Sequence, residues 1–351
     1  MNIVLFLPNW IGDVAMATPA LRALRRRFEG SAHFIGVMRP YVAEVLSGTH
    51  WLDETLLYQP RTAVAELGSL QLVQRLRSRR VDWAILLTNS LRTGVLAWLS
   101  GARRRVGFVR FGRGPLLTDR LYHRRDGRGY VPSPVLDDYL RLAYHVGCPP
   151  ESPRLELATT PADEWLADAA WRRLGMNRDS RVVAFNSGGA FGAAKSWPAE
   201  YFSALARRVV VEHDCHVLLL CGPGEREAAE QISRNADHPR VVSLAGEPLS
   251  IGLSKACVRR SRLLVTTDSG PRHFAAAFDV PVITVFGPTH IAWSENHFDR
   301  AVHLQHEVPC GPCQQRTCPL GHHRCMTELT VDRVYRAVAA QLLDKRPARA
   351  A

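Results

Sequence analysis

The stretch Leu263–Thr289, LLVTTDSGPRHFAAAFDVPVITVFGPT, constrains the fold more than any other. Leu263-Leu264-Val265 is an apolar run too short for a helix and fits a buried strand. Thr267-Asp268-Ser269-Gly270 is a cluster of turn and cap residues, and Pro271 suits the first turn of a helix. His273–Phe278 is short and helix-compatible, Asp279-Val280-Pro281 breaks it, and Val282–Phe286 reads as a second buried strand ending in Gly287-Pro288-Thr289. Strand, turn, helix, strand, turn is a parallel unit. It puts both polar turns on one sheet edge, at the strands' carboxyl ends, where open α/β sheets bind ligands. A helix N-terminus there favours an anion, above all a phosphate. The plainer account is that Asp268 or Ser269 only caps the helix.

The pattern recurs along the chain. Asn2–Leu7 reads as a strand, Pro8–Asp13 as a glycine-containing turn, and Val14–Phe28 as a helix with apolar residues three and four apart. Asp13 therefore falls at a strand tip and a helix start, as a cap or as a group on the ligand-binding edge. Further strands are expected at 32–37, 83–87 and 103–108, with helices at 40–46, 66–80, 89–101 and 137–146. The stretch 110–134 reads as a long arginine-rich loop, either a solvated run or a contact for an acidic acceptor or headgroups. Proline-bearing 147–160 reads as a linker between two domains, 1–155 and 156–351, which suits a length of 351 residues. After a helix at 161–174, Arg181–Phe185 is a strand. It runs into a loop, Asn186-Ser187-Gly188-Gly189, that ends in Lys195-Ser196-Trp197-Pro198. Small residues let backbone approach a ligand, and Lys195 offers a point charge for phosphate. A helix at 201–211 and a strand at 216–221 lead to Gly222-Pro223-Gly224-Glu225, where Glu225 can cap a helix or accept from sugar or ribose hydroxyls. A strand at 241–244 and a short helix at 251–256 precede the opening stretch.

Net charge is +12, and nearly all of the 45 basic residues are arginine, which binds phosphate and carboxylate in a bidentate way. No nucleic-acid-binding signature is visible, so nucleic acid is discounted as a partner. No run is long enough to cross a bilayer, and the N-terminus lacks a basic n-region and cleavage site. The expected location is cytoplasmic, with contact to the inner-membrane surface. Of eight cysteines, four crowd together as Cys310-x2-Cys313-x4-Cys318-x6-Cys325, with His322 and His323 between. That spacing suits structural zinc, an iron–sulfur cluster, disulfides or reduced thiols.

Taken in order, Pro8-Asn9-Trp10-Ile11-Gly12-Asp13, the loop ending in Lys195-Ser196-Trp197-Pro198, Gly222–Glu225, Thr267–His273 and Phe286–Thr289 resemble the ADP-heptose:lipopolysaccharide heptosyltransferases, closest to the heptosyltransferase II branch. The resemblance spans essentially the whole chain. It implies the α/β GT-B fold, two Rossmann-like domains facing across a cleft, the first for the acceptor and the second for the ADP-sugar. It implies an inverting transfer of heptose to the inner core of lipopolysaccharide without a required cofactor. Asp13 matches the family's catalytic aspartate, with Trp10 and Gly12 on the acceptor side. Ser187, Gly188, Gly189, Lys195, Glu225, Thr267, Asp268, Ser269, Gly270 and His273 are the donor-binding candidates. Zinc on Cys310, Cys313, Cys318 and Cys325 would be structural, because the cluster lies outside the motif loops. Alternatives are another donor or acceptor within the family, a nucleotide-sugar epimerase, and a non-catalytic nucleotide-sugar-binding protein.

Overall fold

The computed structural model describes residues 1–127 and 129–344. The chain divides into two compact units, one of Met1–Leu157 with Ala292–Asn296, the other of Ala158–Ile291 with 297 onward.

The first unit is built on a six-stranded sheet. Its strands are β1 Asn2–Phe6, β2 His33–Met38, β3 Glu54–Leu57, β4 Trp83–Leu86, β5 Arg104–Phe108 and β6 Asp119–Leu121, in the order β3-β2-β1-β4-β5-β6. All neighbours are parallel, with Val4 between Ile35 and Ala84. A sheet covered on both faces needs apolar residues at successive positions, and Ile3 to Leu7 are all buried. β3 is only four residues long and opens on two adjacent polar residues, Glu54 and Thr55, and escaped the sequence reading for that reason. The expected helix from Val14 to Phe28 starts earlier, at Ile11, and is divided at Ala17 into Ile11–Met16 and Thr18–Arg27. The arginine-rich stretch is not one loop. It contains β6 and a hairpin, β7 Arg125–Asp126 with β8 Gly129–Tyr130.

The second unit repeats the plan with β9 Val182–Asn186, β10 His216–Leu220, β11 Val241–Ser243, β12 Leu263–Thr267, β13 Val282–Phe286 and β14 Ala301–Gln305, ordered β11-β10-β9-β12-β13-β14 and again parallel. Both orders reverse beside the first strand of the unit, the switch point where such sheets bind ligands. Pro161–Arg173 precedes β9, the helix after β9 runs Ala199–His213, and Arg226–Ala236, Ile251–Arg260, Pro271–Ala277, Arg324–Thr327 and Val331–Leu343 follow.

The proline-bearing connector has no regular structure over 148–160 but is not loose. Buried Arg22 donates to the carbonyls of Ser152 and Arg154 at 2.7 and 3.0 Å and pairs with Glu156 at 3.0 Å. Leu155 and Leu157 are buried. Further on, Lys255 Nζ donates to the Ala158 carbonyl at 2.8 Å.

Candidate functional site

In the second unit the carboxyl ends of β9 and β12 meet as neighbours, so the residues after each strand share one edge. Asn186 closes β9, and its Nδ2 donates to the Gly188 carbonyl at 3.1 Å, Ser269 Oγ at 3.0 Å and Thr266 Oγ1 at 3.3 Å. Thr267 Oγ1 also donates to the Gly188 carbonyl, at 2.8 Å. One buried amide and one hydroxyl thus sew the glycine loop to the Thr267–Gly270 turn. The capping account of that turn does not hold. The helix Pro271–Ala277 has Gly270 at its N-cap and no side-chain cap, because Ser269 Oγ is turned to Asn186 and Thr266.

Lys195 reaches back across the same edge. Its Nζ stands 2.5 Å from Asp268 Oδ2 and 3.1 Å from the Asp268 carbonyl, and Thr289 Oγ1 donates to the same carboxylate oxygen at 2.8 Å. Arg272 lies 3.7 Å from the other oxygen. Burial alone would raise the Asp268 pKa, but Lys195 and Arg272 hold it below the ordinary carboxylate value. Asp268 is therefore the anchor of Lys195 more than an open acceptor for hydroxyls, and Thr289, from the second polar turn, belongs to the site. The Lys195 ammonium also lies 4.5 Å from the centre of the Phe191 ring.

Glu225 Oε2 accepts from Gly222 N–H at 2.8 Å. Glu225 stands at the N-cap of Arg226–Ala236, but its side chain makes no cap hydrogen bond to that helix. A Cβ on Gly188 would lie 2.0 Å from Glu225 Oε1, so the glycine lets the carboxylate lie against the loop. His273 is buried inside the helix Pro271–Ala277. Ser187, Gly188, Gly189, Lys195, Glu225, Thr267, Asp268 and Ser269 come together on this edge. Gly270 opens the helix behind it, and His273 sits within the fold.

In the first unit Asp13 occupies the first turn of Ile11–Met16, with Trp10, not Asp13, at the N-cap. Two phenols sense its charge. Burial first, then Asp13 and Asp138, push the Tyr139 hydroxyl up. Tyr41 is raised by burial and by Asp13 against the pull of Arg39. Trp10 is exposed and Gly12 half-buried. The turn that carries them borders a pocket of about 310 Å³, formed where β1, β2 and β4 end. Its polar wall includes Asn9, Arg39, Thr88, Ser90, Arg92 and Thr93. Arg39 Nε donates to Asn9 Oδ1 at 3.0 Å. Sequence reasoning missed the two arginines. They are 53 positions apart and join only through the strand order, although each directly follows a strand or a capped helix start.

Cys310, Cys313, Cys318 and Cys325 line one small cavity of about 20 Å³ with His322 and His323. Backbone N–H groups, that of His323 foremost, pull the Cys318 thiol below its usual value. Burial and the other three thiols raise Cys325. Among the described residues no three His, Cys, Asp or Glu side chains form a ready set of metal ligands. The segment does touch the loop that carries Lys195 and the turn that carries Thr289. Ala194 N–H donates to the Arg316 carbonyl at 3.0 Å, His323 Nε2 lies 2.8 Å from the Ala194 carbonyl, and Gln314 N–H donates to the Pro288 carbonyl at 2.8 Å.

Comparison with known proteins agrees with this arrangement. The chain is 25% identical to Lipopolysaccharide heptosyltransferase 2 of Escherichia coli (strain K12), over 98% of this chain and 99% of that one. The solved structure of E. coli ADP-heptose lps heptosyltransferase II superposes with a TM-score of 0.78 at 22% identity, covering 98% of this chain and 99% of that one. A glycosyl transferase family 9 structure from Veillonella parvula DSM 2008 gives 0.81 at 22% identity, covering 97% of each. These likenesses show that the fold is GT-B. Residues 69–324, well over half the chain, match Glycosyltransferase family 9 (heptosyltransferase), and the chain belongs to that family of glycosyltransferases.

Proposed function

We propose that this enzyme transfers heptose from ADP-heptose to the inner core of lipopolysaccharide, with inversion and without a catalytic metal. The carrying observation is the Lys195–Asp268–Thr289 cluster on the carboxyl edge of the second sheet. It places a fixed cation at the glycine loop, and such a charge stabilises a departing diphosphate without reorganising. In this reading the second unit holds the donor and the first holds the acceptor, with the Arg39–Arg92 pocket as part of the acceptor side. The acceptor hydroxyl oxygen attacks the anomeric carbon, the bond from that carbon to the β-phosphate oxygen breaks, and the proton passes to the Asp13 carboxylate. ADP leaves with the electron pair. Glu225, beside Gly188, accepts from ribose or sugar hydroxyls. The relatives' names supply the donor and acceptor, and the anionic-ligand architecture supports them.

The cysteine cluster lies behind the loops that carry Lys195 and Thr289, so zinc held there would stiffen the loops and take no part in transfer. We place the protein in the cytoplasm at the inner-membrane surface, since the acceptor is lipid-anchored.

The test is binding and transfer with ADP-heptose, ADP-glucose, UDP-GlcNAc and GDP-mannose, with and without EDTA. Preference for ADP-heptose that survives EDTA is expected. A uridine or guanosine donor preference overturns the donor assignment. Asp13→Ala should abolish turnover while donor affinity stays within a factor of about 2. Turnover retained by that variant removes Asp13 as base.

A further inference from the structure

The chain after β5 and β6 carries an exposed ledge that the site does not use. Phe111 stands at a turn with φ +50° and is 65% exposed, and Tyr122 is 62% exposed. Single exposed aromatics are ordinary, as Trp165 and Trp98 show here, but a patch that combines them with basic residues marks an interaction surface. Arginines lie against Phe111 and against Tyr130. The Arg110 guanidinium lies 5.1 Å from the Phe111 ring centre and 4.5 Å from that of Tyr130, and Arg125 lies 4.9 Å from Tyr130. Arg125 and Tyr130 face each other across the β7–β8 hairpin, next to exposed Arg124. The nearby carboxylates do little to offset this charge. Asp119 is held by Arg104 at 2.8 Å and by His145 at 3.0 Å, and Asp138 by Arg141 and His123 at 2.9 Å each.

The ledge is a firm part of the unit. His123 stacks on Phe108 with ring centres 4.2 Å apart, its Nδ1 lies 2.9 Å from Asp138, and Arg141 donates to the Tyr122 carbonyl at 2.8 Å. Arg113 is fully buried beneath. It donates to the carbonyls of Phe108 and Thr88 and to Asn89 Oδ1. Thr88 lines the acceptor-side pocket, so the ledge and the pocket share the carboxyl edge of the same sheet and are tied by one side chain.

Aromatic rings with arginines held over their faces match the headgroup layer of a bilayer, where rings sit at the interface and cations meet anionic lipid. We propose that Arg110, Phe111, Tyr122, Arg124, Arg125 and Tyr130 form a docking surface for an anionic lipid bilayer, beside the pocket that takes the acceptor sugar. The bilayer itself was part of the functional reading above; what is added is the surface that meets it. Docking there would bring a lipid-anchored sugar to the pocket without the chain entering the membrane. No described helix is long and apolar enough to cross one.

The experiment is flotation of the full chain with vesicles of phosphatidylethanolamine alone, or mixed with phosphatidylglycerol at roughly 3:1. The protein should float only with the mixed vesicles and should be released as salt rises. Arg110→Glu/Arg124→Glu/Arg125→Glu should weaken partition by at least roughly a hundredfold, about fivefold for each arginine lost. Phe111→Ser/Tyr122→Ser should cost roughly tenfold. Both variants should keep transfer to a delipidated acceptor. If a variant fails to fold, hydrogen exchange on the unaltered protein decides, since mixed vesicles should slow exchange over 110–130. Equal flotation with both vesicle types, variants that partition like the parent, or vesicles that leave exchange at 110–130 unchanged overturn the proposal. So does a variant that changes only self-association, which would make the ledge a contact between copies. If no sugar is transferred to any acceptor yet flotation behaves as stated, the transferase reading fails and the docking surface stands.

Discussion

Lys195 and Asp268 are both largely covered, with side chains 12% and 8% exposed, and each is the other's main partner. Removing one member leaves a buried charge, so the two single changes should differ in kind. Lys195→Ala is expected to lower kcat by roughly a hundred- to a thousandfold, as loss of a fixed charge at a leaving group does. Asp268→Asn should leave the lysine in place but poorly aimed, with a loss nearer tenfold. Steady-state rates with saturating donor separate the two, and equal losses would make the pair merely structural. Asp119 offers a test by pH. Hydrogen bonding from Arg104, against the effect of burial and with help from Thr118 and His145, brings its carboxyl down to about 2. Its unfolded value is about 3.9. Because the folded value is depressed, the stability it contributes is fully present above about pH 4 and is lost as pH falls through about 2. Asp119→Asn should therefore flatten that part of an acid-unfolding curve and leave stability above pH 5 lower than the parent's. At this scale Lys195 and Thr267–Ser269 were legible because strand-end turns are polar for a reason. Thr289 as an Asp268 partner, and Arg39 with Arg92, were not, since only the folded sheet brings those pairs of segments together.

The glycine loop and the segment that backs it work as elements. Any side chain at Gly188 meets the Glu225 carboxylate, so Gly188→Ala must push that carboxylate away and should weaken donor binding roughly tenfold. Gly224→Ala, where nothing lies within 4 Å, is the control and should bind as the parent does. Calorimetric titration with ADP checks both. Behind the loop, His323 carries Ala194, and Met326 packs where a Cβ on Gly287 would stand. His323→Ala should raise the donor KM several-fold with little change in kcat. A fall in kcat alone would move His323 into the chemistry. Elements with strong apolar runs, such as β1, β9 and β13, were plain in the sequence because both faces of a parallel sheet are covered. β14, with half-buried residues throughout, and the helices Arg226–Ala236 and Val331–Leu343 were not picked out. The apolar residues of the two helices are diluted by charge on an exposed face, and His303 and Gln305 interrupt those of β14.

At the scale of the whole chain, the same strand order appears twice, and each copy puts its polar residues at the carboxyl edge. The duplication was readable because strand–turn–helix units recur in both halves. The prolines marked 147–160 as a connector, but its packing against Arg22 was not legible in the sequence. A ligand confined to the second unit should stabilise the protein by mass action. ADP at about 100 times its Kd should add about 2.7 kcal/mol, read in thermal melts, and Lys195→Ala should need more ADP for the same shift. A melt indifferent to ADP would mean that the folded chain does not bind the nucleotide.

The clamp that Arg22 closes on Ser152, Arg154 and Glu156 bears on how such enzymes can be recombined. A hybrid joined after Leu157 carries the whole clamp from one parent. One joined before Glu151 sets this buried guanidinium against a foreign strip of backbone whose carbonyls need not point its way. The permissible crossover thus lies a few residues beyond the prolines that announce it, and exchange of the first unit between relatives should succeed on one side of that point and misfold on the other.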